Sequence, residues 1–220
     1  MSYLPCIEVE TNDNPDASII WLHGLGADGN DFVSLIPELG LPKDLAIRFV
    51  FPNAPSIPIT VNNHFVMPAW YDILEMSIDR KVDTVQLVQS ANAISALVDR
   101  ELERGVSSER IIIAGFSQGG AVAYEAALSY PKKLAGVLAL STYFATAETI
   151  KPHAENQSIP LLIAHGNRDP IVPFTLAESA FSQLSMMGYT PEIIQYSMAH
   201  SLCAEEIKDI SLWLQKCLSI

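Results

Sequence analysis

The sequence predicts an α/β fold, with a mostly parallel central sheet, helices on both faces and no separate cap domain. Short apolar segments alternate with segments of helical periodicity along the chain. The strand-like segments are almost continuously apolar, as is usual for parallel strands buried on both faces. The 220 residues suffice for one core, so we expect one domain over residues 1–220.

The first half of the chain predicts two buried strands, at 18–23 (SIIWLH) and 47–51 (IRFVF). A helix is predicted over 31–39, directly after the turn residues Asp28, Gly29 and Asn30. The proline-rich segment 52–79 predicts one long irregular loop, and loops of that length inside a domain are often functional. A long helix is predicted at 83–104 because apolar residues recur there at helical spacing.

The second half continues the alternation of strands and helices. Strands are predicted over 110–114, 134–140, 160–164 and 192–196. Helices are predicted over 118–129, 174–187 and 204–217, and Gly188 is a usual stop signal for the second of them. Parallel strands joined by helices require cover on both faces of the sheet, which predicts the layered architecture.

Composition and charge exclude several classes of function. Hydrophobic residues make up 49% of the chain and charged residues 17%, an ordinary balance for a globular protein. The formal net charge is −12, and such a surface repels phosphate backbones and anionic lipid headgroups. We therefore expect no nucleic-acid partner.

Location follows from three features of the sequence. No apolar run approaches the roughly 20 residues that a bilayer requires, so we expect no integral membrane association. The N-terminus lacks the basic start and apolar core of a signal peptide. The three cysteines form no CxxC pair, which argues against a disulfide framework and a zinc site. These features predict a soluble cytoplasmic protein.

The strongest chemical signal is the pentapeptide 115–119 (GFSQG), which places Ser117 in a G-x-S-x-G motif. The motif lies between a predicted strand and a predicted helix, the context that a nucleophile elbow of the α/β-hydrolase fold requires. The sharp turn exposes the serine oxygen at a helix N-terminus, where the helix dipole favours negative charge. A glycine-rich turn with an N-capping serine is the alternative, but the flanking elements favour a nucleophile that attacks carboxylic esters or thioesters.

A serine hydroxyl is a weak nucleophile and requires a base that is oriented by a third group. This fold presents the three in the order Ser, Asp or Glu, His. Asp169 and His200 follow Ser117 in that order, in predicted loops just past strand ends, where open α/β sheets place their sites. His165 directly ends a predicted strand, and we expect a packing or hydrogen-bonding role for it. His153 and His64 are expected at the surface.

The stretch 23–26 (HGLG) follows the first buried strand, where this fold places a loop that donates an N–H to an oxyanion. The N–H of Gln118 is the expected second donor, because that residue follows the nucleophile. The stretch 24–29 (GLGADG) also matches the dinucleotide fingerprint G-x-G-x-x-G and leaves an NAD-dependent oxidoreductase as an alternative. That fingerprint predicts an acidic residue at the end of the next strand, where this chain has Pro52 and Asn53.

Six stretches together are far more specific than G-x-S-x-G alone. They are 21–32 (WLHGLGADGNDF), 51–60 (FPNAPSIPIT), 67–73 (MPAWYDI), 115–123 (GFSQGGAVA), 165–173 (HGNRDPIVP) and 198–207 (MAHSLCAEEI). Through them the chain resembles the acyl-protein thioesterase, lysophospholipase and small carboxylesterase family over nearly its whole length.

The resemblance implies that Ser117, Asp169 and His200 form a catalytic triad, and that Leu25 and Gln118 supply the oxyanion N–H groups. It also implies an enzyme without cofactor or metal, often a homodimer, that hydrolyses small esters, lysophospholipids or S-acylated proteins. The substrate-binding residues that it implies are Leu25, Trp70, Leu74, Met76, Tyr143 and Ile171.

The apolar residues of 65–73 support a substrate pocket, although they could also pack on the core. A catalytically idle binding protein with this fold is a further alternative, because a fold does not dictate a function. The filled catalytic positions speak against it. The natural substrate and its chain length stay open.

Overall fold

The computed structural model describes residues 3–75 and 81–218. In these residues the strands are β1 (Cys6–Glu10), β2 (Ala17–Leu22), β3 (Ile47–Pro52), β4 (Ser56–Ile59), β5 (Phe65–Pro68), β6 (Ile73–Glu75), β7 (Lys81–Val82), β8 (Ile111–Phe116), β9 (Gly136–Leu140), β10 (Leu161–Gly166) and β11 (Glu192–Tyr196). The α-helices are α1 (Leu35–Glu38), α2 (Thr84–Glu103), α3 (Gln118–Ser129), α4 (Phe174–Met186) and α5 (Ala204–Cys217).

Seven of these strands form the central sheet in the order β1-β3-β2-β8-β9-β10-β11. All neighbours are parallel except β1 and β3, which pair antiparallel at one edge. The carboxyl ends of the parallel strands lie along one edge of the sheet. The segments that follow β8, β10 and β11 at this edge contain the three residues of the predicted triad.

Side-chain alternation along the strands divides the core between the two faces of the sheet. In β2, Ile20 and Leu22 pack on one face, with apolar residues of α2, α3 and α4. Ile19 and Trp21 pack on the other face, with apolar residues of α1 and α5. Helices thus cover both faces of a mostly parallel sheet, which confirms the predicted fold class.

Several elements begin and end where the sequence predicts. The bounds of α3, β11 and α5 equal the predicted ones. Helix α2 begins after Asp83, whose carboxylate accepts a hydrogen bond from the Gln86 backbone N–H at 3.0 Å. This N-cap satisfies a backbone donor that the first turn leaves without an intrahelical partner.

Two predictions of secondary structure were wrong, and one strand of the central sheet was not predicted. The helix predicted at 31–39 is a 3₁₀ turn (Gly29–Phe32) followed by the four-residue α1, which contains Pro37. The loop predicted at 52–79 contains the two-stranded sheet β4-β5, whose short strands tolerate prolines, and the strand β6, which pairs with β7 beyond the predicted loop. Strand β1 was missed, because its long-range pairing with β3 leaves little local signal.

Candidate active site

Ser117 occupies the turn between β8 and α3 in a backbone conformation that serine seldom adopts, with φ 55° and ψ −120°. Two hydrogen bonds hold this turn. The Ser117 N–H donates to the Leu140 carbonyl at 2.8 Å, and the Thr142 hydroxyl donates to the Ser117 carbonyl at 2.6 Å. Both partners belong to the end of the neighbouring strand β9 and the loop after it, so the sheet itself supports the strained serine.

The two glycines of the motif are required by close backbone contacts. A Cβ atom on Gly115 would lie 2.3 Å from the Gly119 carbonyl oxygen. A Cβ atom on Gly119 would lie 2.6 Å from the carbonyl oxygens of Leu22 and His23. Glycine therefore allows α3 to approach both its own strand and the loop after β2, which brings the 23–26 stretch beside Ser117.

The three residues predicted as a triad form one continuous chain of hydrogen bonds. The His200 Nε2 atom lies 3.0 Å from the Ser117 Oγ, and its Nδ1 atom lies 2.6 Å from the Asp169 Oδ2. The other carboxylate oxygen of Asp169 accepts the backbone N–H groups of Ile171 and Val172, each at 2.8 Å. Because the carboxylate only accepts, Nδ1 carries the imidazole proton and Nε2 is left to accept the serine hydroxyl proton.

The other histidines lie where the sequence predicts. His165 is fully buried, and its Nε2 atom lies 2.7 Å from the Val172 carbonyl oxygen. Burial lowers the pKa of His165, which favours the neutral ring. His153 and His64 are exposed.

The two predicted oxyanion donors lie beside the nucleophile. Gln118 is the first residue of α3, where a backbone N–H has no intrahelical acceptor. On the other side, Gly24 lies so near Ser117 that a Cβ atom on it would be 3.4 Å from the Ser117 Cβ. Leu25, the next residue, lines the same cavity as Gln118 and Ser117.

A cavity of about 340 Å³ opens at Ser117 and His200. Three of the residues that the resemblance implies for substrate binding line it: Leu25, Tyr143 and Ile171. Ile73 also lines this cavity, in agreement with the pocket predicted from the apolar residues of 65–73, whereas Phe32 and Val61 line it and were not predicted. Phe32 belongs to the stretch 21–32, which carries part of the family resemblance and contains the predicted oxyanion loop. This position was the one sequence signal that could have indicated Phe32 as a cavity residue.

Trp70 does not line this cavity, which corrects the prediction for that residue. Its side chain is 1% exposed, and its indole N–H donates to the His23 carbonyl at 2.8 Å. The Trp70 backbone N–H donates to the side-chain oxygen of Gln118 at 2.8 Å. A buried indole requires a partner for its N–H, and the strand end at His23 provides it.

The prediction for Leu74 is also corrected. Leu74 is 43% exposed and is not among the cavity residues, whereas its neighbour Ile73 is 5% exposed and lines the cavity. Both belong to β6, where successive side chains point to opposite sides. Met76 lies outside the described residues.

The dinucleotide alternative does not fit the geometry of 24–29. The Gly29 N–H donates to the Asn53 side-chain oxygen at 2.8 Å, and only a 3₁₀ turn follows. A pyrophosphate site requires the N-terminus of a full helix at this point. Within residues 3–75 and 81–218, no group of three or more acidic, histidine or cysteine side chains converges as metal ligands, and no helix is long and apolar enough to cross a membrane.

A nucleophile on a strand–turn–helix elbow, with its histidine and aspartate on loops after later parallel strands, defines an α/β-hydrolase. A sequence model of the Phospholipase/Carboxylesterase family matches residues 4–218. The chain belongs to this family and is a carboxylic ester hydrolase. Neither the oxidoreductase nor the idle binding protein is favoured.

Curated relatives and solved structures agree with this assignment. Acyl-protein thioesterase 1 of Saccharomyces cerevisiae is 38% identical over 211 residues, covering 92% of this chain and 93% of the yeast protein. Acyl-protein thioesterase 1 of Neurospora crassa is 35% identical over 213 residues, covering 92% of this chain and 87% of the relative. Arabidopsis thaliana SOBER1 is 30% identical with a TM-score of 0.86, covering 92% and 99% of the two chains. Acyl-protein thioesterase 2 of Zea mays is 28% identical with a TM-score of 0.86, covering 99% and 100%.

Proposed function

We propose that the enzyme hydrolyses esters and thioesters of apolar acyl chains through an acyl intermediate on Ser117. The observation that carries this proposal is the hydrogen-bonded chain from Asp169 through His200 to Ser117, with the serine at the mouth of a mostly apolar cavity. The relatives named acyl-protein thioesterase support thioesters among the substrates.

In the first half of the reaction, His200 Nε2 accepts the hydroxyl proton as Ser117 Oγ attacks the acyl carbonyl carbon. The resulting oxyanion is stabilised by the backbone N–H groups of Leu25 and Gln118. Asp169 stabilises the imidazolium through its bond to Nδ1. When the intermediate collapses, the alcohol or thiol leaves with the proton held on His200, and the acyl group stays on Ser117.

In the second half, a water molecule attacks the acyl-serine while His200 Nε2 accepts its proton. The same two N–H groups stabilise the second oxyanion. Collapse releases the carboxylic acid and returns the proton to Ser117 Oγ. Neither half of this reaction requires an oxidant, a metal or a cofactor. We therefore expect a chelator to leave turnover unchanged.

The lining of the cavity favours a linear apolar acyl group over a charged one. Phe32, Val61 and Ile73 provide apolar walls, and the carboxylate of Asp31 is part of the lining. This carboxylate, within a protein of net charge −12, repels an anionic acyl group. We propose S-acylated proteins, lysophospholipids and small esters as the substrate classes, all cleaved by this one chemistry.

Substitution of the nucleophile tests the proposal. Ser117→Ala should lower kcat for p-nitrophenyl esters and for an S-acyl peptide by several orders of magnitude, because the triad acts as a unit. Ser182→Ala, an exposed serine on α4, is the matched control and should retain full activity. A fluorophosphonate probe should label the wild type at Ser117. Half of the wild-type activity in a folded Ser117→Ala variant would refute the assignment.

We also propose a cytoplasmic location, which the three free cysteines support because reduced thiols are usual there. Fractionation of cells that express a tagged chain tests it. The homodimer implied by the family resemblance stays a prediction, and multi-angle light scattering of the purified protein decides it.

A further inference from the structure

The imidazole of His23 is held in one tautomer. Its Nε2 atom lies 3.1 Å from the Ala54 backbone nitrogen, and its Nδ1 atom lies 2.7 Å from the Gly24 carbonyl oxygen. A backbone N–H can only donate, so Nε2 accepts and Nδ1 carries the proton that is donated to Gly24. The ring is fully buried, and burial lowers its pKa, which keeps it neutral at working pH.

The bond to Gly24 sets the direction of the Leu25 N–H. The peptide between them is trans, so its C=O and N–H groups point in opposite directions. The Gly24 carbonyl accepts from His23 Nδ1 and, at 3.3 Å, from the Ala27 N–H. The Leu25 N–H must therefore point away from this pair of donors, while Gly24 and Leu25 both line the cavity beside Ser117.

The flanking peptide groups are held as well. The His23 carbonyl accepts the indole N–H of Trp70 at 2.8 Å, and the Gly26 N–H donates to the Pro68 carbonyl at 2.8 Å. The glycine at 24 has no Cβ and by itself permits a rotated peptide. A rotated peptide would present the Gly24 carbonyl oxygen to the substrate in place of the Leu25 N–H.

We infer that His23 is a positioning residue of the oxyanion hole, which holds the Gly24–Leu25 peptide in the orientation that lets Leu25 stabilise the oxyanion. The inference rests on the proposed function, because it assigns a role within that reaction. Loss of one oxyanion donor typically lowers kcat by about 10²–10³-fold, and His23→Leu should lose activity in this range with little change in KM.

The variant His23→Asn distinguishes loss of the hydrogen bond to Gly24 from loss of the volume of the imidazole ring. In His23→Asn the side-chain amide nitrogen occupies a position near that of Nδ1 and can donate to the Gly24 carbonyl. We expect His23→Asn to recover most of the kcat lost in His23→Leu. His153→Leu, the same change at an exposed histidine, is the matched control and should behave as the wild type.

Two ligands distinguish a positioning role from a merely structural one. A trifluoromethyl ketone forms a tetrahedral oxyanion on the serine, so its affinity should fall in parallel with kcat in His23→Leu. An uncharged alkyl alcohol occupies the cavity without an oxyanion, and its affinity should stay unchanged. Equal loss of both affinities would overturn the inference.

Nitrogen NMR of the wild-type imidazole tests the tautomer without a variant, and it decides the matter if His23→Leu does not fold. We expect the Nδ1–H tautomer of His23 at neutral pH, with a pKa below that of an ordinary histidine because the ring is buried. An Nε2–H tautomer, or a His23→Asn enzyme as slow as His23→Leu, would overturn the inference. A wild type that hydrolyses no ester would contradict the proposed function instead, and the imidazole spectrum would still show whether His23 holds the loop.

Discussion

The Nε2 atom of His200 lies 3.0 Å from the Oγ of Ser117, although 83 positions separate the two residues in the chain. Ser117 follows β8 and His200 follows β11, and both strands are parallel members of one sheet. Asp169 follows β10, the neighbour of β11, and reaches the far side of the same imidazole. The common edge of the sheet thus assembles three residues that are remote in sequence.

Replacing the carboxylate of Asp169 should disable the base without disturbing the site. In Asp169→Asn the side-chain amide can donate to Nδ1, which favours the tautomer that cannot accept the Ser117 proton. We expect kcat to fall by about 10⁴-fold, as is typical of this change in a serine triad. Steady-state kinetics measure it, with Asp16→Asn at the exposed Arg110 ion pair as control. A loss of less than tenfold would contradict the role of Asp169.

The glycine that follows the nucleophile elbow should tolerate no side chain. The Cβ of Gly119→Ala would lie 2.6 Å from the carbonyl oxygens of Leu22 and His23, so α3 and the oxyanion loop must separate. We expect a loss of about 1–3 kcal/mol in the free energy of unfolding, typical of overpacking, together with a lower kcat.

Gly40→Ala is the control for this substitution. Gly40 has a positive φ of 56°, unlike Gly119, and nothing lies within 4 Å of an added Cβ. We expect backbone strain alone, about 1 kcal/mol, with kcat unchanged. Urea unfolding and ester kinetics compare the two variants. Equal kcat in both would show that the contact at Gly119 does not position the catalytic groups.

Two neighbours on β6 should differ in their effect on acyl-chain preference. Extending an ester from acetyl to hexanoyl buries four methylenes, worth about 3 kcal/mol or roughly a hundredfold in kcat/KM. Ile73→Ala should weaken this gain, because Ile73 lines the cavity, whereas Leu74→Ala should preserve it, because Leu74 is exposed. A chain-length series with one leaving group measures both. Equal effects of the two variants would show that β6 does not form the acyl wall.

The buried carboxyl of Glu206 should make the protein less stable as the pH rises. Burial raises the pKa of Glu206 from 4.5 to about 8. Between these values the folded protein retains a proton that the unfolded chain releases, so stability falls with rising pH, by up to about 1.4 kcal/mol per pH unit. Glu206→Gln should remove this dependence and stabilise the protein at pH 8.

Urea unfolding at a series of pH values from 4.5 to 8 tests the prediction for Glu206. The difference between the wild type and Glu206→Gln isolates this carboxyl, because all other titrating groups contribute to both proteins. Parallel stability curves would show that Glu206 is ionised in the folded state.

Much of the fold was predictable because its signals are local. Helix α3 was predicted with its correct bounds, and the glycine-rich turn that precedes it is a local signal. The prediction of one helix over 31–39 was wrong, because the apolar residues of this segment pack against the sheet from a 3₁₀ turn and a separate short helix. Local periodicity does not distinguish these outcomes when tertiary contacts determine the backbone.

The residues of the proposed triad were predictable from the sequence: a serine between two glycines, followed in order by an aspartate and a histidine just past strand ends. Residue type and position relative to a strand suffice for this, because parallel strands end at one edge. Tertiary packing determined which apolar side chains between 52 and 75 line the cavity. The indole N–H of Trp70 donates to the His23 carbonyl, 47 positions away, so this side chain packs in the core. The pleat of β6 places Ile73 in the cavity wall and leaves Leu74 exposed. Such choices depend on hydrogen-bond partners and packing that are distant in sequence, so no local pattern encodes them.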